Sequence, residues 1–127
     1  MILKKKIHKN SPLNNNDYLE IIRNFKSEGT VIDDRGRNLI KTFSVKGKTI
    51  NVKSFKIQNL FNQVVYKYFR KSKAQRSYEY ANILKSKNIG TPQPYAYYEF
   101  FSLFGLQNSY YFSEHLNYDL TYFELRK

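Results

Sequence analysis

Cysteine is absent, so disulfides and thiolate metal ligands are excluded, and two histidines, His8 and His115, are too few and too separated to suggest a zinc set. Acidic residues are scarce: 10 Asp and Glu face 22 Lys and Arg, a formal charge of +12. Such an excess attracts anions, which makes nucleic acid, phosphate ligands and anionic membrane surfaces the candidate partners. An abundance of Lys, Asn, Ile and Tyr also accompanies AT-rich coding, so the lysine count by itself assigns no function. The opening MILKKKIHKN is charged from its fourth residue and no long apolar run follows, which excludes a signal peptide or a membrane span there. The expected location is cytoplasmic.

What is present is sufficient for one packed domain over 1–127: 41% apolar residues, including 12 Tyr and 10 Phe. An N-terminal extension and a short helix are expected over 1–28. Leu19, Ile22 and Phe25 share a helical face, and Asn16 or Asp17 is available as N-cap. Region 29–58 alternates as strands, broken by DDRGR and KGK, where glycine permits tight turns, and predicts a three-strand meander.

The periodicity changes at 59. Leu60, Phe61, Val64, Val65, Tyr68 and Phe69 recur as one helical face, and Ser72 with Gln75 fits a capping box that opens a second helix. That helix points Ala74, Tyr78, Ala81 and Leu84 inward; Gly90 ends it and Pro92 prevents its resumption, giving two helices over 59–89. Two aromatic-rich runs about Gly105 predict a hairpin over 94–116. The tyrosines of AYYEFF alternate, so one aromatic face is expected outside. The expected class is α+β, a five-stranded antiparallel sheet with a helical insertion after the third strand and a short N-terminal helix.

Lys53, in INVK, taken alone is an ordinary solvated strand lysine, and Glu79 alone an exposed helix glutamate whose pairing with a nearby cation contributes about 0.3 to 0.5 kcal/mol. Even together the two are a weak match to any motif. A phosphate-binding lysine needs a fixed aim, and a carboxylate from a packed helix supplies orientation and charge compensation. The basic group Arg70, Lys71, Lys73 and Arg76 reads first as a solvated surface, with attraction of anionic headgroups as its functional alternative.

The layout, with INVK in the third strand and RSYEYANIL in the following helix, resembles the small, N-terminal lobe of the protein-kinase-like fold. More narrowly, GRN at 36–38, VKSFK at 52–56, NLFNQVVYKYFRKSKAQRSYEYANIL at 59–84 and NIGTPQPYAYYE at 88–99 resemble the bacterial lipopolysaccharide kinases, which phosphorylate Kdo or heptose of the inner core. This covers roughly two-thirds of the chain, and FRKSKAQRSYE followed by IGTPQP is its most specific part. The resemblance implies ATP- and Mg-dependent phosphoryl transfer to a sugar hydroxyl of a lipid-anchored acceptor, at the cytoplasmic face of the inner membrane. Lys53 would orient the phosphates and Glu79 would hold Lys53. The turn containing Gly36 and Arg37 would cover the nucleotide, and the backbone of Glu114 to Leu116 would form the adenine hinge.

The sequence also departs from that pattern. DDRGRN has one glycine where protein kinases have G-x-G-x-x-G, and Asn51 stands where a small alanine forms the adenine ceiling. All four aspartates, Asp17, Asp33, Asp34 and Asp119, precede the expected position of a catalytic loop or metal-binding motif. The expectation is therefore an isolated lobe, with 117–127 as the start of a large lobe, inactive by itself and with an exposed face open to self-association. Two alternatives remain: a basic nucleic-acid-binding module, which carries no RNP, KH or zinc-finger signature here, and a folded non-catalytic remnant.

Overall fold

The computed structural model describes residues 2–36, 38–57 and 59–116. Its elements are β1 (Ile2–Ile7), α1 (Asn15–Arg23), β2 (Thr30–Arg35), β3 (Asn38–Val45), β4 (Lys48–Lys56), α2 (Leu60–Tyr68), α3 (Lys73–Ser86), β5 (Pro94–Phe101) and β6 (Leu106–Glu114). The strands form one sheet in the order β1-β5-β6-β4-β3-β2, with every neighbouring pair antiparallel. The α+β class, the meander, the hairpin and the helical insertion are as expected. The strand count is not: the sheet has six strands rather than five.

The additional strand is β1, drawn from the expected extension. It pairs along β5 from Ile2 with Phe101 to Ile7 with Ala96. Three consecutive lysines obscure its alternation, yet Leu3 and Ile7 pack on the core while Lys4 and Lys6 lie on the opposite face. Lysines on an edge strand also discourage further edge pairing.

Each face of the central strands is covered. On one, α1 buries Tyr18 and Ile21, and the segment after it buries Phe25, against Ile50, Val52, Ala96, Tyr98 and Phe112. On the other, Ala74 and Tyr78 of α3 pack on Tyr111, with Phe55 and Tyr97 beside them. This double coverage corrects the expectation of an outward aromatic face on β5: Tyr95 and Tyr98 are buried and Tyr97 is half-buried.

The helix ends differ in detail from the sequence reading. Asn14, not Asn16 or Asp17, caps α1, and its side chain and that of Asp17 each accept the other residue's backbone N–H. Ser72 caps α3 by accepting the Gln75 N–H at 3.0 Å, but the Gln75 side chain reaches Glu79 instead of closing the box. At its far end Asn88 takes the left-handed conformation, φ 59°, before Gly90 is reached. The KGK turn places Lys46 and Gly47 at φ 51° and 77°, the pair of positive values a two-residue hairpin turn requires.

Helix α2 has no buried residue: Leu60, Phe61 and Tyr68 are exposed, as is Phe69 just beyond it, while Gln63, Val64, Val65, Tyr66 and Lys67 are half-buried. The two ends of its apolar stripe thus face outward, and only Val64 and Val65 are partly covered. The turn between β5 and β6 fixes this orientation, since a β-carbon on Gly105 would overlap the Gln63 backbone carbonyl. Gly105→Ala is expected to destabilise the domain by roughly 1–3 kcal/mol, as backbone overpacking does; urea denaturation would measure it, and an unchanged midpoint would refute the close approach.

Candidate functional site

Lys53 occupies the middle of β4, opposite Ile40 of β3 and Tyr111 of β6. Alternation along the strand sends Ile50 and Val52 to the α1 core, and Asn51, Lys53 and Phe55 to the face that carries α3. Tyr78, which packs on Tyr111, immediately precedes Glu79. Lys53 and the helix bearing Glu79 therefore share one side of the sheet, and Lys53 is half-buried there.

The Glu79 carboxylate accepts a hydrogen bond from Lys71 Nζ at 2.7 Å and from Gln75 Nε2 at 3.0 Å. These bonds, with Lys71 the stronger influence, hold its carboxyl below the usual carboxylate range. Its side chain is 40% exposed, so solvent screens the pair and its contribution to stability is about 0.5 kcal/mol or less. In this conformation Glu79 makes the pairing with a local cation that a surface helix glutamate makes.

Glu99 is a functional-type residue that the sequence reading did not single out. It lies on the same face of β5, buried to 5% exposure at the N-terminus of α3. Burial raises its pKa, while the hydroxyl and amide of Ser72 oppose the shift and Lys4, its register partner on β1, opposes it from the other side. The only signal in the sequence was a lone carboxylate between aromatics in YYEFF.

At the opposite end of β4, Asn51 approaches the expected hinge. Its Nδ2 lies 3.4 Å from His115 Nδ1, and its Oδ1 is buried without a partner. An unpaired buried acceptor is costly, and a ligand amino group could satisfy it. The Glu114 backbone N–H donates to the Gln93 carbonyl at 2.9 Å, and its carboxylate accepts from the Gln93 N–H at 3.2 Å. Glu114 closes β6, and Leu116 follows it half-buried outside the strand.

Gly36 has φ 75° and nothing within 4 Å of where a β-carbon would stand, as a tight turn at an open tip requires. Its N–H, which a phosphate-cradling turn would offer to ligand, donates to the Asp34 carboxylate at 3.0 Å. Asp33 pairs with Arg35 Nε at 2.9 Å. The two aspartates thus occupy donors that a phosphate would use. Arg37 lies outside the described residues, as do 117–127 and Asp119.

The expected residues accordingly fall into separate places: Lys53 and Glu79 on the α3 face, with Asn51 of that face reaching His115 beside Glu114, and Gly36 apart at the hairpin tip. The donors suit a nucleotide in part, through Lys53 and the orphaned Asn51 oxygen. No three His, Cys, Asp or Glu side chains converge to hold a metal ion among the described residues, and no helix there is long and apolar enough to cross a membrane. No family model, curated protein or solved structure matches the chain.

The two glutamates of this face should affect stability in opposite directions as pH changes. Glu79, with its pKa depressed, contributes stability above its unfolded value that is lost as pH falls through the folded one. Glu99, with its pKa raised, carries a cost that appears as pH rises from the ordinary glutamate value through the folded one. Glu99→Gln should therefore gain relative to the native chain between about pH 4 and about pH 7. Urea melts at both values check this, and a native advantage that grows with pH would contradict it.

Proposed function

We propose that the chain is the small, nucleotide-binding lobe of a sugar kinase of the lipopolysaccharide type. The observation that carries the reading is the sharing of one sheet face by Lys53, the orphaned Asn51 oxygen and helix α3 with Glu79. The strand order supports it as well: the meander β2-β3-β4 joins the hairpin through β6, which brings the expected hinge beside the lysine strand.

On this reading ATP supplies the transferable phosphoryl group, with Mg to screen its charge. The chain's own residues bind and orient. The ammonium of Lys53 aims the phosphates, and its position between Ile40 and Tyr111 limits its sweep. Glu79 turns from Lys71 to compensate Lys53. The amide of Asn51, held near His115, meets the base where kinases place a small residue, and the backbone of Glu114 to Leu116 borders it. Phosphoryl transfer to the sugar hydroxyl requires catalytic carboxylates from a large lobe, so the lobe alone binds without turnover.

The expected affinity for ATP is roughly millimolar. Lys53→Ala should weaken it about tenfold, the worth of a charge-assisted hydrogen bond. Glu79→Gln should weaken it several-fold, whereas Lys71→Ala, which releases Glu79 from its local pair, should not. Titration followed by amide chemical shifts measures all three. Equal affinity of Lys53→Ala and the native chain removes the phosphate role, and tighter binding of short RNA than of ATP, falling steeply with salt, replaces the reading with the nucleic-acid one.

A further inference from the structure

A cavity lies further along the same face, and Lys53 is not among the residues that line it. It has a volume of about 240 Å³ and is enclosed by the β2–β3 turn, the end of β4 and the start of the helical segment. Arg35, Lys56 and Lys73 bring three cations to it from three elements, and Asn38 and Asn62 add two amides. No carboxylate is among its lining residues.

Its inner wall holds Ser109, which is 1% exposed and whose Oγ has no hydrogen-bond partner. Register pairs Ser109 with Phe55, on the side of the sheet that α2 and α3 cover. A buried hydroxyl left unpaired is uncommon in a folded chain and calls for a ligand or a strain-bearing role. Here it stands in a cavity where positive charge is uncompensated, and an oxyanion would accept its hydrogen bond.

The charge pattern of the sequence supports the same conclusion. No Asp or Glu occurs from 35 to 78, while that segment carries Arg35, Arg37, Lys41, Lys46, Lys48, Lys53, Lys56, Lys67, Arg70, Lys71, Lys73 and Arg76. Every residue lining the cavity except Ser109 comes from it. Asp33 touches Arg35 from outside this lining, and one carboxylate does not offset three cations.

We infer that this cavity binds a phosphate monoester, with Ser109 donating to one oxyanion oxygen and Arg35, Lys56 and Lys73 compensating the charge. Its volume of about 240 Å³ admits a phosphoryl group with part of the sugar that carries it. The inference does not depend on the kinase reading, because it uses neither Lys53, Glu79 nor the hinge.

Chemical-shift titration of the full chain with inorganic phosphate, glucose 6-phosphate and ADP tests it. The expected result is saturable perturbation of Asn62, Lys73 and Ser109. Ser109→Ala should weaken the binding read at Asn62 and Lys73 about fivefold and Lys73→Gln by a similar factor, while Lys85→Gln, at an exposed position that does not line the cavity, leaves it unchanged. Tighter binding of glucose 6-phosphate than of ADP assigns the cavity to sugar phosphates, and the reverse order assigns it to nucleotides. Ser109→Ala should unfold at the same or a higher urea concentration, because the hydroxyl it removes is unpaired; a lower one shows a purely structural serine and overturns the proposal. Phosphate binding insensitive to Ser109→Ala shows surface charge alone and also overturns it. Equal weakening by Lys85→Gln shows that overall charge holds the ligand, again against the proposal.

Discussion

The pairing of β4 with β6 is the constraint on which the remaining structure depends. It joins Ile50 to Glu114 across about half of the chain and locks the meander to the C-terminal hairpin. Without it the two halves would be separate small sheets, each with an unprotected edge. With it, β4 and β6 become interior strands whose side chains must be buried on both faces, and two clusters form accordingly. Such pairing closes a long loop before any contact compensates it, so the helices within that loop dock on a sheet whose order is already determined. Lys53 is half-buried because the pairing puts Tyr111 beside it and α3 above.

Electrostatics on the α3 face follow from that arrangement. An interior face offers little water, so each charge there needs a local partner. Glu99 uses Ser72 at the start of α3 and the lysines of β1; Glu79 uses Lys71 and Gln75. Both carboxylates sit near the first half of α3, whose own first turn contains no acidic residue. The helix N-terminus favours negative charge, and here the sheet supplies part of it from Glu99. The segment from 35 to 78 carries twelve Lys and Arg and no acidic residue of its own, so the carboxylates that Arg35, Lys46 and Lys71 meet, Asp33, Asp17 and Glu79, all come from outside it.

Local pattern made much of the fold legible in the sequence. The KGK turn, the Ser72 cap, the inward Ala74, Tyr78 and Ala81, and the hairpin about Gly105 each rest on neighbours within a few residues. Features set by distant partners were less legible. β1 was hidden because an edge strand tolerates lysine on one face, and its pairing with β5 depends on a partner about 90 residues away. The outward face assigned to the β5 tyrosines failed for the same reason, since alternation cannot distinguish a strand covered once from one covered twice. Of the candidate site, the placing of Lys53 beside the helix that bears Glu79 was what the resemblance to the kinase small lobe implied. The local capture of Glu79 by Lys71, the buried Glu99 and the unpaired Asn51 and Ser109 oxygens were not legible, because each is a matter of side-chain neighbours across strands.

Helix α2 shows how a strong local signal can be correct in type and silent in direction. Its periodicity identifies a helix, and an apolar stripe ordinarily faces the core. Three contacts hold Leu60, Phe61 and Tyr68 outward. Gln63 donates through Nε2 to the Ile57 carbonyl at 3.0 Å, which pins the polar side to the end of β4. Gly105 brings the hairpin turn against the Gln63 backbone, where no side chain could intervene. Arg70 lies over the Tyr66 ring, 5.4 Å from its centre, and Tyr66 lines the cavity that Ser109 walls. Rotating the stripe inward would break the Gln63 bond and remove Tyr66 from that cavity. The apolar residues Leu60, Phe61 and Tyr68 consequently share the exterior with Leu103 and Phe104 of the adjoining turn. This exposed apolar surface thus lies opposite the polar contacts that hold one helix.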